Sequence, residues 1–214
     1  EDLLKTYSRV PVFIVLGDNE WNDCPNINEG WELWQDHFLY LDQFWNHTFE
    51  VVRMPGRPES FVFWHKTTLF FGLNLVGGTV HNRNEWSNRL STQATWVTDV
   101  LSQYTWNMST VVLFGHANPS DNHAAFFEAI RDYIRSTLPG HISVLYVNGD
   151  AHVWDTKSSY FGQANFRRIQ LTGGTSEPPL QISVNPTVPF SAEDAFVYDR
   201  RLNNSTAVER GMGF

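Results

Sequence analysis

The sequence predicts an α/β fold, and three observations predict it. Three apolar runs, Val12-Phe-Ile-Val-Leu, Val111-Val-Leu-Phe and Val144-Leu-Tyr-Val, lack polar alternation and read as strands buried on both faces. Between them, apolar residues recur at spacings of three and four, the period of helices that pack on a sheet. Beyond residue 152 this spacing stops and short strand-like runs take over. Each of the three apolar runs leads into glycine and polar groups: Gly17-Asp-Asn-Glu20, Gly115-His116 and Gly149-Asp-Ala-His152. Open α/β sheets place their sites at such strand ends.

Taken in order, residues 2–8 read as the end of a helix, and Pro11 opens the first strand, where its missing N–H does least damage. Residues 17–30, rich in Asn, Asp, Gly and Pro, read as a loop. Gly30 to Phe44 is expected to be a helix, because Trp31, Trp34, Phe38, Leu41 and Trp45 share one face. Aromatics at helical spacing are more often core than cofactor platform. Phe61-Val-Phe-Trp and Leu69-Phe-Phe-Gly-Leu-Asn-Leu form a strand pair turned at residues 65–68, and Gly77-Gly-Thr-Val-His81-Asn-Arg83 leaves it as a loop. Leu90, Ala94, Val97, Leu101 and Tyr104 mark a helix. A second helix, capped by Ser120 or Asp121, carries Phe126, Phe127, Ile130, Ile134 and Leu138 and stops at Pro139-Gly140. The tail offers strands near 166–171, 180–184 and 195–198. No internal repeat divides the chain, so residues 1–214 are expected to form a single domain.

Composition narrows the function classes. Fifteen Lys plus Arg face 23 Asp plus Glu, giving a net charge of −8, and no basic stripe exists to bind a nucleic-acid backbone. The uncharged stretch Thr67 to Val80 contains Asn74 and three glycines and is too short to span a bilayer. The sole cysteine, Cys24, suits a reducing compartment or a disulfide to a partner outside the chain. Sequons at Asn46, Asn107, Asn203 and Asn204 lean towards a secreted or lumenal glycoprotein.

The three strand ends supply Asp18, Asn19 and Glu20, then His116, then Asp150 and His152. Carboxylates and imidazoles converging on one sheet edge are divalent-metal chemistry, suited to Mn, Mg, Fe or Zn more than to a thiolate-loving ion. A lone histidine at a strand end is usually structural, and Asp18-Asn19 alone could be a turn. Three such ends together favour ligation. Other chemistries are poorer: no Gly-x-Ser-x-Gly elbow surrounds a serine, and Gly77-Gly78 has no Walker lysine. His81 and Arg83 in the following loop are candidate substrate contacts.

Gly17-Asp-Asn-Glu, Gly115-His116 and Gly149-Asp-Ala-His152 resemble the last three metal-binding blocks of the calcineurin-like metallophosphoesterases. The form Gly-Asp-Asn-Glu-Trp-x-Asp-Cys resembles one branch of that family. The resemblance covers roughly residues 10 to 155. It implies a four-layer α/β/β/α sandwich around two divalent metal ions and hydrolysis of a phosphate mono- or diester. Carried over by position, Asp18, His116 and Asp150 would ligate the second metal and His152 the first. The family's first two blocks, Asp-x-His and Gly-Asp-x-x-Asp, do not occur before residue 10. The fold is therefore expected to be incomplete at its N-terminus, the site to be completed by an upstream segment of the same protein (with Cys24 as the candidate disulfide link), and this chain alone to be inactive. Asn19 stands where the family carries its proton-donating histidine, and an amide cannot donate a proton near neutral pH. His81 is the candidate replacement. Asp18 and Asp150 in place of Asn and His make the pocket harder, favouring Mn, Mg or Ca over Zn. The alternative is a phosphoesterase-like glycoprotein that no longer catalyses and serves a structural or binding role.

Overall fold

Parallel strand pairing organises the molecule. The structure is a computed structural model that describes residues 1–174, 176–185 and 195–202 and the backbone of 208–210. In chain order it contains α1 (Asp2–Tyr7), a π-helical turn (Asp18–Asn22), α2 (Ile27–Phe38), β1 (Val51–Met54), β2 (Arg57–His65) and β3 (Thr68–Gly72). There follow α3 (Arg83–Tyr104), β4 (Thr110–Phe114), α4 (Ala124–Ser136), β5 (Ser143–Asn148), β6 (Asp155–Lys157) and β7 (Phe166–Gln170). Strands β8 (Gln181–Val184), β9 (Phe196–Asp199) and β10 (Val208–Arg210) complete the described chain. The fold is mixed α/β. A seven-stranded sheet in the order β1-β2-β3-β4-β5-β7-β6 is parallel from β3 through β7 and antiparallel at its edges.

Alternation along the central strands divides the core. Leu69, Phe71, Val111, Leu113, Val144, Tyr146 and Phe166 point to one face, where α3 and α4 lay Trp86, Leu90, Val97, Phe126, Phe127 and Ile130 against them. Val112, Leu145, Val147 and Ile169 point to the other face and meet Ala195, Phe196 and Tyr198. Strands β8, β9 and β10 form a second, antiparallel sheet in the order β10-β9-β8. Residues 111–113 and 144–147 are all buried, as their unbroken apolar runs predict.

Four sequence expectations change. Val12 to Leu16 joins no strand and makes no backbone hydrogen bond among the described residues. Instead Phe13 stacks on Phe63 at 4.6 Å between centroids, and Leu16 packs with Trp34. The helix expected at 30–44 begins earlier, because the Asn26 side chain accepts from Glu29 N, and ends at Phe38 before a separate 3₁₀ turn at Leu41–Phe44. The helix marked by Leu90 to Tyr104 extends back to Arg83, where Asn82 caps it through Asn84 N and Glu85 N. Strands β1 and β6 were not expected: β1 is short, and β6 is the polar triplet Asp-Thr-Lys.

Gly72 is where a side chain would do most damage in the sheet. A Cβ there would collide with the ring of Phe61, which lies across it on the neighbouring strand. Gly72→Ala is expected to cost about 1–3 kcal/mol through overpacking. The check is urea denaturation, with a lower midpoint and an unchanged slope.

Candidate metal centre

Register brings the strand ends together. Gly72 pairs with Phe114 and Phe114 with Val147, so β3, β4 and β5 finish at one level. The loops that leave them are then tied through one residue. His116 N donates to Leu75 O at 3.1 Å, and His116 O accepts from Gly149 N at 3.3 Å and Asp150 N at 3.1 Å. Ala117 N also donates to Leu75 O, at 2.7 Å. From the helix face, the Tyr146 hydroxyl donates to Ala117 O at 2.7 Å. Burial pushes that phenol well above its usual pKa, so it remains a donor at neutral pH.

Asp18 arrives from a different direction. The π-helical turn closes with Asp23 N on Asp18 O at 2.8 Å, a bond spanning five residues. Single π turns of this kind frequently occur at functional sites. The buried Asn22 anchors the turn: its Nδ2 donates to Gly77 O at 2.8 Å and Thr79 O at 2.7 Å. The Asp18 carboxylate thereby meets the His116 ring, with Oδ1 3.5 Å from Nε2.

Asp18, His116 and Asp150 each offer one ligand atom, and these atoms lie within 4.8 Å of one another. All three residues are partly buried. Asp150 Oδ2 accepts from Asn118 N at 3.2 Å, and Asp18 Oδ1 accepts from Asn19 N at 2.8 Å. Among the described residues neither carboxylate pairs with a lysine or arginine. Two carboxylate oxygens and an imidazole nitrogen with no fixed counter-charge make a donor set suited to a divalent cation. Gly77 N donates to His116 Nδ1 at 3.3 Å, which places the ring proton on Nε2. Ligation through Nε2 requires the other tautomer, with the proton on Nδ1. Gly77 must itself stay bare, because a Cβ there would lie 2.7 Å from Asp150 Oδ2.

The structure does not bring the other expected residues into this cluster. His152 adopts a positive φ of 55°, is exposed, and lays its ring against Gly173. Asn19 is exposed, and its carbonyl accepts from the free thiol of Cys24 at 3.3 Å. His81 Nε2 sits 2.7 Å from Asn22 O and buttresses the π turn. Arg83 is exposed and lines a separate cavity of about 250 Å³ between α3 and residues 121–125. Of the sequons, Asn46 and Asn107 are exposed, whereas Asn203 and Asn204 lie outside the described residues.

Three supporting groups escaped sequence reasoning. Asn118 fixes Asp150 through its backbone, while its Oδ1 accepts from Asn148 Nδ2 at 2.7 Å and Arg168 Nη2 at 2.6 Å. Arg168 also donates to Asn148 Oδ1, Asp155 Oδ2 and Gln170 Oε1. No motif marks such a network, since its members lie up to 50 positions apart in sequence. The third group is His123, buried against Trp86, with Nε2 2.9 Å from Val76 O and Nδ1 3.0 Å from Ser120 Oγ. No family model and no curated protein matches the chain.

Burial pushes the His123 pKa below its ordinary value, against an opposing pull from Val76 O. The folded chain therefore binds fewer protons here than the unfolded chain, whose histidine titrates near ~6.5. His123 contributes its full stability above about pH 6.5, loses it as pH falls towards the depressed value, and contributes no further change below. His123→Gln keeps a donor for Val76 O and should flatten this part of the profile. Urea midpoints of both proteins between about pH 4.5 and 7.5 check it.

Proposed function

We propose that Asp18, His116 and Asp150 hold a divalent cation in a metal-dependent phosphoesterase of the calcineurin-like type. The observation that carries the reading is the convergence of three ligand atoms, each delivered by one of the three blocks that resemble that family. Phosphate mono- and diesters are the proposed substrate class. The proposed site is dinuclear, and its remaining ligands come from polypeptide beyond these residues. Bound divalent ions would supply charge neutralisation on phosphoryl oxygens and activation of a nucleophile. The chain's own part is to hold two carboxylates and one imidazole on hydrogen-bonded strand ends. His152, exposed at the far side of the Asp150 turn, is the proposed ligand of the other ion.

An unfilled region beside the cluster supports the four-layer arrangement. A cavity of about 470 Å³ lies between Ile14, Val15, Leu16, Trp34 and Phe38 on one side and Phe114, Val147 and Leu171 on the other. Gly17, Glu20 and His116 border it. Trp34 lines it, and its buried indole N–H has no hydrogen-bond partner among the described residues. Interiors are normally close-packed and buried donors satisfied. Further strands beside Val12–Leu16 would satisfy both conditions and bring ligands to the mouth of the cluster.

The non-catalytic reading draws on Asn19, an exposed amide where the family carries its acid. Exposed Asn46 and Asn107 support a secreted or lumenal glycoprotein under either reading. Activity separates the two. The full-length protein with Mn²⁺ or Mg²⁺ is expected to hydrolyse a generic aryl phosphate or phosphodiester, and His116→Ala is expected to abolish turnover. Full activity in the alanine variant would sink the assignment.

A further inference from the structure

The inference that follows rests on the metal reading of Asp18, His116 and Asp150, and concerns a residue outside that cluster. Arg89 is fully buried in the middle of α3. Its guanidinium lies between two indoles, 5.3 Å from the Trp21 centroid and 4.7 Å from that of Trp86. Nε donates to Glu85 Oε1 at 2.9 Å, and Nη1 donates to Asn74 O at 2.9 Å and Asn74 Oδ1 at 3.2 Å. Nη2 is buried and has no hydrogen-bond partner among the described residues. Burial pushes the group's pKa down while Glu85 pushes it back up.

Stability is a poor reason for such a residue. A buried charge carries a desolvation penalty, and an unfilled donor adds to it. Replacing a whole buried ion pair with well-packed apolar groups is often neutral or stabilising, whereas removing one partner of a buried pair is costly. Removing Arg89 would strand no buried anion: Glu85 is partly exposed and also receives Arg57, and Glu59 keeps Asn74 Nδ2 and Arg57.

What Arg89 touches is the pair of segments that assemble the cluster. Trp21 belongs to the π turn that presents Asp18. Asn74 begins the run 74–79, whose members hold every other part. Leu75 O receives His116 N and Ala117 N, Gly77 packs on the Asp150 carboxylate, and Gly77 O and Thr79 O receive Asn22. Gln93, also on α3, bonds Asn74 N and Asn74 O from the same side.

We propose that Arg89 is a positioning residue that clamps the Asp18 turn and the 74–79 run to α3, holding the three ligands within reach of one cation. Arg89→Met removes the fork and the charge while keeping a stem of similar length. The test is Mn²⁺ affinity of the full-length protein, read from free Mn²⁺ by electron paramagnetic resonance, with Tm measured in parallel. The expected result is affinity about tenfold or more weaker, the range seen when outer-shell partners of a metal are lost, at a Tm lowered no further than in Val97→Ala. Val97→Ala, a cavity in the same helix, is expected to lower Tm and leave affinity intact. Wild-type affinity in Arg89→Met overturns the clamp, as does an affinity loss that tracks Tm in both variants. If the unsubstituted full-length protein binds no Mn²⁺ that His116→Ala removes, the metal reading itself is overturned and this inference with it.

Discussion

The main chain of His116 is the constraint on which the rest of the site depends. Its N–H reaches the loop after β3, and its carbonyl gathers two N–H groups from the turn after β5. That bridge is possible because β3, β4 and β5 are parallel and end in register. A one-residue slip of β4 would turn Val112 towards the helices and carry His116 away from both neighbours. The packing that prevents the slip is ordinary. Val111 and Leu113 are locked under α3 and α4, and Val112 is locked under Phe196 and its neighbours. Core geometry thus fixes where the imidazole and the Asp150 carboxylate stand.

Asp18 is held by different means. No ladder carries it, so its place rests on a tight turn, on Asn22 and on the indole of Trp21. The proposed cluster therefore has a rigid half, built on the sheet, and a half whose position depends on side-chain hydrogen bonds. Sites built on strands are more exact than sites on loops. The run 74–79 joins the two halves, and α3 holds that run through Asn74.

Much of this was legible in the sequence, for identifiable reasons. Two of the three apolar runs are buried strands, because consecutive apolar residues with no polar alternation fit inside a sheet covered on both faces. Asp18, His116 and Asp150 stood out because each follows such a run. The first run, Val12–Leu16, has the same composition yet no ladder, since periodicity reports apolarity and says nothing about which strand is present to pair with it. Asn118, Asn74 and Arg89 were invisible for another reason. Their work is done across long stretches of sequence and largely through backbone atoms, which no spacing rule captures. Arg83 illustrates the converse: a candidate substrate contact beside a motif can still stand apart from the cluster and line a cavity of its own.

The claim that everything else serves is that Asp18, His116 and Asp150 ligate one divalent ion. Anomalous diffraction at the manganese edge from crystals grown with Mn²⁺ tests it most directly. The account predicts a peak bonded to all three side chains, at about 2.0–2.6 Å, the range of oxygen ligation to hard divalent cations. A peak elsewhere, or a well-ordered cluster with no peak, would contradict it.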